Sequence, residues 1–256
     1  MYGEKDLILE RLSRSHDFRD RRIYQKDIST AGRYSCRLAY KHTDLYITSD
    51  KDISGKLRKP LAVFYEQLEK VIWENKGFEE SLSPLDTDKS WPDAVQAMCR
   101  SAAIFGVGPM AAVAGTVCDT IAAEVSGGCS FLMIENGGDA YIKSPDMVKA
   151  SLFTGSRYFP ENIDICIDPG STPCGLCSSS GMMGHSLSLG KSDLVTVMSG
   201  SAAEADAAAT AIANAVRTRS DVDRIIEKYT QYSQLKGLII LKDDRLAIWG
   251  DLQLVK

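Results

Sequence analysis

The stretch SGSAAEADAAATAIANAVRT, from Ser199 to Thr218, predicts one helix that lies very close to its neighbours. Ser201 and Glu204 have the S-x-x-E spacing of a capping box, which places the start of the helix near Ser201. The alanines that follow give the helix small side chains, so it can approach a sheet or a partner element closely. The preceding run DLVTVMSG predicts a strand that leads into this helix.

Asp206 and Thr210 are four residues apart in this stretch and therefore share one face of the helix. Carboxylate and hydroxyl oxygens are ligands that Mg²⁺ or Ca²⁺ prefers, and Mg²⁺ usually fills its remaining positions with water and phosphate oxygens. A structural interpretation is the more common one for such residues, in which Asp206 favours the positive N-terminal end of the helix and Thr210 bonds a backbone carbonyl. The two residues alone leave both interpretations open.

The elements around the helix follow an order that recurs. The first half predicts a hairpin, three helices and a second hairpin, in the segments RYSCRLAYKHTDLYITSD, PLAVFYEQLEKVIWEN, 92–125 and CSFLMIENGGDAYIKS. The second half predicts strands, two helices and a final strand pair, at VKASLFTG, IDICID, GLCSSS, DLVTVMSG, the helices from Ser201 and Asp221, GLIILKD and RLAIWGDLQ. Antiparallel hairpins separated by helices predict an α+β fold in which helices pack on one side of a sheet.

Composition narrows the class of protein. A chain of 256 residues with 44% hydrophobic residues, 25% charged residues and a net charge of -4 is typical of a soluble protein without affinity for nucleic acid. The N-terminus MYGEKDLILERLSRS carries charges where a secretory peptide needs an apolar run. No stretch approaches the ~20 apolar residues of a membrane span. We therefore expect a cytoplasmic protein that has no membrane partner.

Two short segments could contribute to a ligand site. In ENGGDAYI, residues Asn136 to Asp139 form a turn whose glycines permit a tight hairpin, or let a phosphate or a flat ring approach the backbone. In HSLSLG, His185 has small polar neighbours and could serve as a general base, although a single histidine is more often a surface or core-edge residue.

The segment PCGLCSSSG places Cys174 and Cys177 at CxxC spacing. Seven cysteines scattered through a long chain argue against a disulfide framework. The pair lacks a second CxxC or a histidine at zinc-finger spacing, and the strand-like SSSG that follows does not suit a thioredoxin-like helix. A reactive thiol pair and simple packing of small residues remain as interpretations.

Several of these segments, taken in chain order, resemble the ApbE flavin transferase superfamily. They are GTVCD from Gly115, NGGD from Asn136, SSG from Ser179 to Gly181, His185, and SAAEADAAAT from Ser201. The whole chain is similar to an uncharacterised cytoplasmic ApbE-like family of methanogens and other anaerobes, whose members carry a TDL-type step like that from Thr43 to Leu45. The resemblance implies a duplicated T-fold, an antiparallel sheet with helices on one side arranged twice.

The resemblance also implies roles for individual residues. Asp206 and Thr210 become the expected Mg²⁺ ligands, with a main-chain carbonyl near Val113 as a third, and His185 corresponds to the transferase histidine. The walls of a pocket for FAD or a related nucleotide are expected from two segments, Asn136, Gly137, Gly138 and Asp139, and Ser179, Ser180 and Gly181. AAVAGT places Ala114 where flavin transferases carry a lysine.

Three functions follow as expectations. The first is Mg²⁺-dependent binding of FAD or a related nucleotide, with flavin transfer as the reaction. The second is sulfur trafficking with proteins of anaerobic homocysteine formation, in which Cys177 or Cys174 carries a persulfide. The third is a non-catalytic assembly protein. We further expect a charged arm over 1–30, one domain over 31–256 with halves at 31–146 and 147–256, and a homodimer formed through exposed sheet edges.

Overall fold

The computed structural model describes residues 8–11, 32–181 and 190–255, and its centre is a nine-stranded antiparallel sheet. In the order in which they pair, its strands are β1 (Ile8–Arg11), β2 (Tyr34–Tyr40), β3 (Thr43–Ser49), β4 (Leu132–Asn136), β5 (Asp139–Lys143), β8 (Cys174–Ser179), β9 (Leu194–Ser199), β10 (Leu235–Lys242) and β11 (Arg245–Gly250). A second sheet of three strands has the order β12 (Leu252–Leu254), β7 (Ile163–Ile167) and β6 (Val148–Leu152).

The helices and the small sheet cover opposite faces of the large sheet. The helices are α1 (Arg58–Glu74), α2 (Asp93–Phe105), α3 (Val113–Val125), α4 (Ala202–Ala215) and α5 (Asp221–Tyr229). Because strand side chains alternate between faces, Leu238 and Ile240 of β10 join the core under the helices, whereas Ile239 and Leu241 join the core under the small sheet. The apolar run 238–241 of β10 therefore reflects burial on both sides.

Helix α4 lies against the sheet and the neighbouring helices at very short range. Its alanines are almost all buried, and Ser201 caps it by accepting a hydrogen bond from the Glu204 N–H at 3.3 Å. A Cβ added at Gly115 of α3 would lie 2.1 Å from the Ala202 carbonyl oxygen, and one at Gly175 of β8 would lie 2.3 Å from the Ala202 Cα. The small residues predicted to permit close approach thus occur on both sides of the contact.

The predicted α+β fold is confirmed. The order hairpin, helices, hairpin occurs as β2–β3, α1 to α3 and β4–β5, and again as β8–β9, α4–α5 and β10–β11. One difference is that β6 and β7 leave the main sheet and pair with β12, which closes the face opposite the helices. The expected N-terminal arm also contributes β1, which pairs with β2.

Within the described residues, no single helix has both the length and the apolar character needed to cross a membrane. One pair, Asp93–Phe105 with Pro109–Gly128, meets that test by length and composition only when taken together, and it is bent by 102°.

Candidate functional site

Pairing of β5 with β8 brings the two predicted pocket segments side by side. Asp139 is directly opposite Cys177 in the antiparallel register, so the turn before β5 and the residues after Cys177 end at the same edge of the sheet. Strand β9 runs next to β8 and starts at that edge with Leu194. The register therefore assembles the site from segments that are distant in the chain.

A cavity of about 850 Å³ opens at this edge. It is lined by the β2–β3 turn, α1, the start of α3, the β4–β5 turn, and the ends of β6, β8 and β9. The lining residues are His42, Thr43, Asp44, Tyr65, Leu68, Glu69, Ile72, Trp73, Glu79, Met110, Val113, Ala114, Val117, Asn136, Gly137, Gly138, Asp139, Leu152, Phe153, Ser178, Ser179, Ser180 and Leu194. The second wall thus runs from Ser178 to Ser180, and Gly181 follows with its N–H bonded to the Ser192 carbonyl at 2.9 Å.

The NGGD segment is both a tight hairpin turn and a wall of this cavity. Gly137 and Gly138 have φ values of 71° and 114°, which side-chain-bearing residues rarely adopt. The Gly138 N–H donates to the buried Glu135 carboxylate at 3.0 Å, and the Asn136 amide donates to the Ala114 carbonyl at 3.4 Å. The turn is therefore held in place by one hydrogen bond to β4 and one to α3. Its role in binding a ligand stays a prediction.

Asp206 lies behind this wall and caps α3. Its Oδ2 accepts the Gly115 N–H at 2.9 Å, and the Ala114 N–H also bonds its carboxylate. Both donors belong to the first turn of α3, where helix N–H groups lack intrahelical partners. Thr210 follows one turn later on α4 and is half-buried. The structural interpretation of Asp206 thus holds in modified form, because the helix end that it stabilises is that of the neighbouring α3.

Asp119 of α3 performs the reciprocal function for α4. Its carboxylate accepts the Ala202 N–H at 3.1 Å, the Ala203 N–H at 2.9 Å and the Ser201 hydroxyl at 2.8 Å. Sequence analysis placed Asp119 in the GTVCD motif without assigning it a contact. The signal available was a carboxylate in the middle of a largely apolar helix, but its partners lie in a different helix.

Asp139 and Asp206 form an acidic pair of half-buried residues. Desolvation by burial raises the pKa of both carboxyl groups, and for Asp206 the charge of Asp139 is the next largest cause. Hydrogen bonds from the Cys177 thiol and the Ser178 N–H oppose the shift at Asp139. Asp139 Oδ1 is buried and has no hydrogen-bond partner in the part of the chain that the structure describes.

The oxygens at this position fit a hard divalent cation. A buried, unpartnered carboxylate oxygen beside a second carboxylate is a place where positive charge is favourable, and oxygen ligands suit Mg²⁺. Among the described residues, no group of three or more His, Cys, Asp or Glu side chains is arranged to hold a metal. An ion here would therefore depend on one or two carboxylates together with neutral oxygens, which is how Mg²⁺ is usually held.

The structure does not bring Cys174 and Cys177 together. Their spacing of three along β8 turns the side chains to opposite faces, so Cys177 lies in the core under the helices and Cys174 lies in the core under the small sheet. Both are fully buried. Burial raises the pKa of Cys174 to about 11 and that of Cys177 well above its ordinary value, so both thiols stay protonated.

The end of the cavity near α1 is aromatic and apolar, which sequence analysis did not anticipate. The Tyr65 hydroxyl and the Thr43 hydroxyl are hydrogen-bonded at 2.7 Å, and both residues are buried. Trp73 lies at the rim with 86% of its surface exposed. These residues were missed because a helix pattern identifies the buried stripe of α1 but not the cavity beside it. His185 lies in 182–189, outside the described residues.

Comparison with sequence families gives one extended match. The model described as AbpE bacteria matches residues 26–236. A UPF0280 protein of Methanothrix thermoacetophila is 35% identical over 187 residues, which cover 72% of this chain and 78% of that protein. UPF0280 protein MJ1526 of Methanocaldococcus jannaschii is 31% identical over 227 residues, which cover 86% of this chain and 92% of that protein.

Comparison with solved structures agrees at the level of the fold. The flavin transferase ApbE from Vibrio cholerae has a TM-score of 0.51 and 14% identity, and the match covers 85% of this chain and 96% of that one. The flavinyl transferase ApbE from Pseudomonas stutzeri, in its apo form, has a TM-score of 0.53 and 11% identity, with 82% and 91% covered. At such low identity, the similarity shows a shared fold.

Proposed function

Because the chain belongs to the family described as AbpE bacteria, together with archaeal UPF0280 proteins, we propose that its cavity binds FAD or a related pyrophosphate-bearing nucleotide with a divalent cation. One observation carries the proposal. The expected wall from Asn136 to Asp139 and two residues of the other expected wall, Ser179 and Ser180, line a single cavity with an acidic pair beside it. Its volume of about 850 Å³ lies within the usual range for ligand sites.

The charge of the cavity explains why a cation is needed. Its lining within the described residues includes Asp44, Glu69, Glu79 and Asp139 but neither lysine nor arginine. Asp44 pairs with Arg37 and Glu69 with Lys41, so those two charges are partly balanced from outside. An anionic pyrophosphate would meet uncompensated negative charge near Asp139. A bound divalent cation supplies the positive charge that neutralises the phosphates.

Individual residues have distinct roles in this proposal. Asp206 and Thr210 hold the cation, and the glycines of the NGGD turn let the ligand approach the backbone. Hydroxyl groups of Ser178 to Ser180 offer hydrogen bonds to the ligand, while Tyr65, Ile72 and Trp73 offer apolar surface to a flat ring. Transfer of FMN is the reaction that this family resemblance suggests. In that reaction His185 would take the proton of an acceptor hydroxyl, whose oxygen bonds the FMN phosphorus as the pyrophosphate bond of FAD breaks and AMP leaves.

The experiment measures FAD affinity in Mg²⁺-containing buffer for the wild type, Asp206→Asn and Glu79→Gln. Asparagine keeps an acceptor for the Gly115 N–H but loses the negative charge that holds a cation. We expect Asp206→Asn to weaken FAD binding by about ten-fold or more. Glu79→Gln removes a different cavity acid and should bind at least as well as the wild type. Equal affinity of the wild type and Asp206→Asn would contradict the proposal.

A further inference from the structure

Asp139 is held in place from one side only. Its carboxylate is bonded by the Cys177 thiol and the Ser178 N–H, yet Oδ1 has no partner among the residues that the structure describes. Buried carboxylate oxygens in proteins are normally hydrogen-bonded, so an exception calls for an explanation. Here the exception occurs on a residue that also lines the cavity.

Asp206 is the second carboxylate of the acidic pair, and its position is independently fixed. The Gly115 and Ala114 N–H groups at the start of α3 hold it, and Gly115 cannot move away because α3 and α4 cross there in backbone contact. Two carboxyl groups whose charges interact are therefore held by separate elements, Asp139 by β5 and Asp206 by α4. Burial of like charges without a compensating positive group is costly.

We propose that Asp139 is itself a cation ligand, and that Asp139 Oδ1 and Asp206 bind one hard divalent cation from two sides. This inference rests on the proposed function, to which it adds a ligand from the NGGD turn. One bound ion explains both why Asp139 Oδ1 has no hydrogen-bond partner among the described residues and why two interacting carboxyl groups occur here. It also makes the turn a link between the cation and the nucleotide, since Gly137 and Gly138 line the cavity directly beside Asp139.

The test of this inference measures the binding of Mn²⁺ alone and needs no activity assay. Electron paramagnetic resonance monitors the concentration of the free ion. Four proteins are compared: the wild type, Asp139→Asn, Asp206→Asn and the control Glu80→Gln, an exposed residue outside the cavity lining. Asparagine at 139 can still accept from Cys177 and Ser178, so the turn should keep its shape. We expect one Mn²⁺ site in the wild type, weakened about ten-fold or more by either Asp→Asn change and unchanged by Glu80→Gln.

The outcomes separate this inference from the proposed function. Loss of Mn²⁺ binding in Asp206→Asn with wild-type affinity in Asp139→Asn would overturn the role of Asp139 and leave the proposed cation site standing. Absence of Mn²⁺ binding by the wild type, with and without ADP, would overturn both. If Asp139→Asn does not fold, Asp139→Ser takes its place, and far-UV circular dichroism establishes that each variant is folded.

Discussion

At the scale of single residues, the two cysteines of PCGLCSSSG have different environments. Cys174 belongs to the core under the small sheet, while the Cys177 thiol shares its single proton between the Ala202 carbonyl, at 3.3 Å, and the Asp139 carboxylate. Neither thiol is exposed, and burial raises both pKa values. Dithiol exchange needs two sulfurs that can meet, so this arrangement favours a packing role for Cys174 and a positioning role for Cys177.

This geometry predicts that Cys174 and Cys177 resist alkylation in the folded protein. A pKa of about 11 for Cys174 lowers its thiolate fraction near pH 8, by roughly 100-fold relative to an ordinary thiol. Burial then blocks access as well. Iodoacetamide labelling under anaerobic conditions, mapped by mass spectrometry, should modify the half-buried Cys166 first. Rapid labelling of Cys174 or Cys177 in native protein would support the sulfur-trafficking alternative instead.

Sequence identified several residues near the cavity because their types are unusual where they occur. Paired glycines before Asp139 and a carboxylate within the alanine run at Asp206 are visible without a structure. Asp119 was missed because its three donors lie on α4, and contacts across helices leave no local periodicity. Trp73 was missed because a helix pattern does not show which exposed residue borders a cavity.

At the scale of elements, α3 and α4 cap each other. Asp206 of α4 accepts N–H groups from the first turn of α3, and Asp119 of α3 accepts N–H groups from the first turn of α4. Gly115 allows the crossing, since its missing side chain leaves room for the Ala202 carbonyl. The cavity wall at Ala114 and the Asp206 carboxylate are therefore positioned by the same contact.

Removal of one cap should destabilise the fold measurably. Asp119→Ala leaves the Ala202 and Ala203 N–H groups and the Ser201 hydroxyl without their acceptor, and we expect a loss of about 2–3 kcal/mol in the free energy of unfolding. Urea denaturation followed by circular dichroism measures it. Glu124→Ala, an exposed change on the same helix, should stay within about 0.5 kcal/mol of the wild type. Similar values for the two variants would contradict the reciprocal capping.

At the scale of the whole molecule, one continuous sheet contains two units, each of which consists of a hairpin, helices and a second hairpin. The two units meet where β5 pairs with β8. The candidate site lies at that junction, so each unit contributes one wall. The halves at 31–146 and 147–256 stay a prediction, as does the homodimer. Both sheets have edge strands through which such a dimer could form, β1 and β11 in the large sheet and β6 and β12 in the small one.

Much of this architecture was predictable, because alternating and helical patterns are local. The pairing of β12 with β7 was not, since Leu252–Leu254 and Ile163–Ile167 are far apart in the chain and neither run indicates its partner. The two pocket walls meet because of the register between β5 and β8, which was likewise not predictable from either segment alone. A shift of β8 by one residue would turn Cys177 away from the helices and separate Asp139 from its thiol.

The central claim is that one cavity binds a pyrophosphate-bearing nucleotide through a divalent cation. Its most direct test is a titration of the wild-type protein with FAD, followed by flavin fluorescence, once in millimolar Mg²⁺ and once in EDTA. The account predicts saturable one-to-one binding that tightens about ten-fold or more in Mg²⁺, because the cation offsets the acidic lining. Binding of equal strength in EDTA, or none in either buffer, would contradict it.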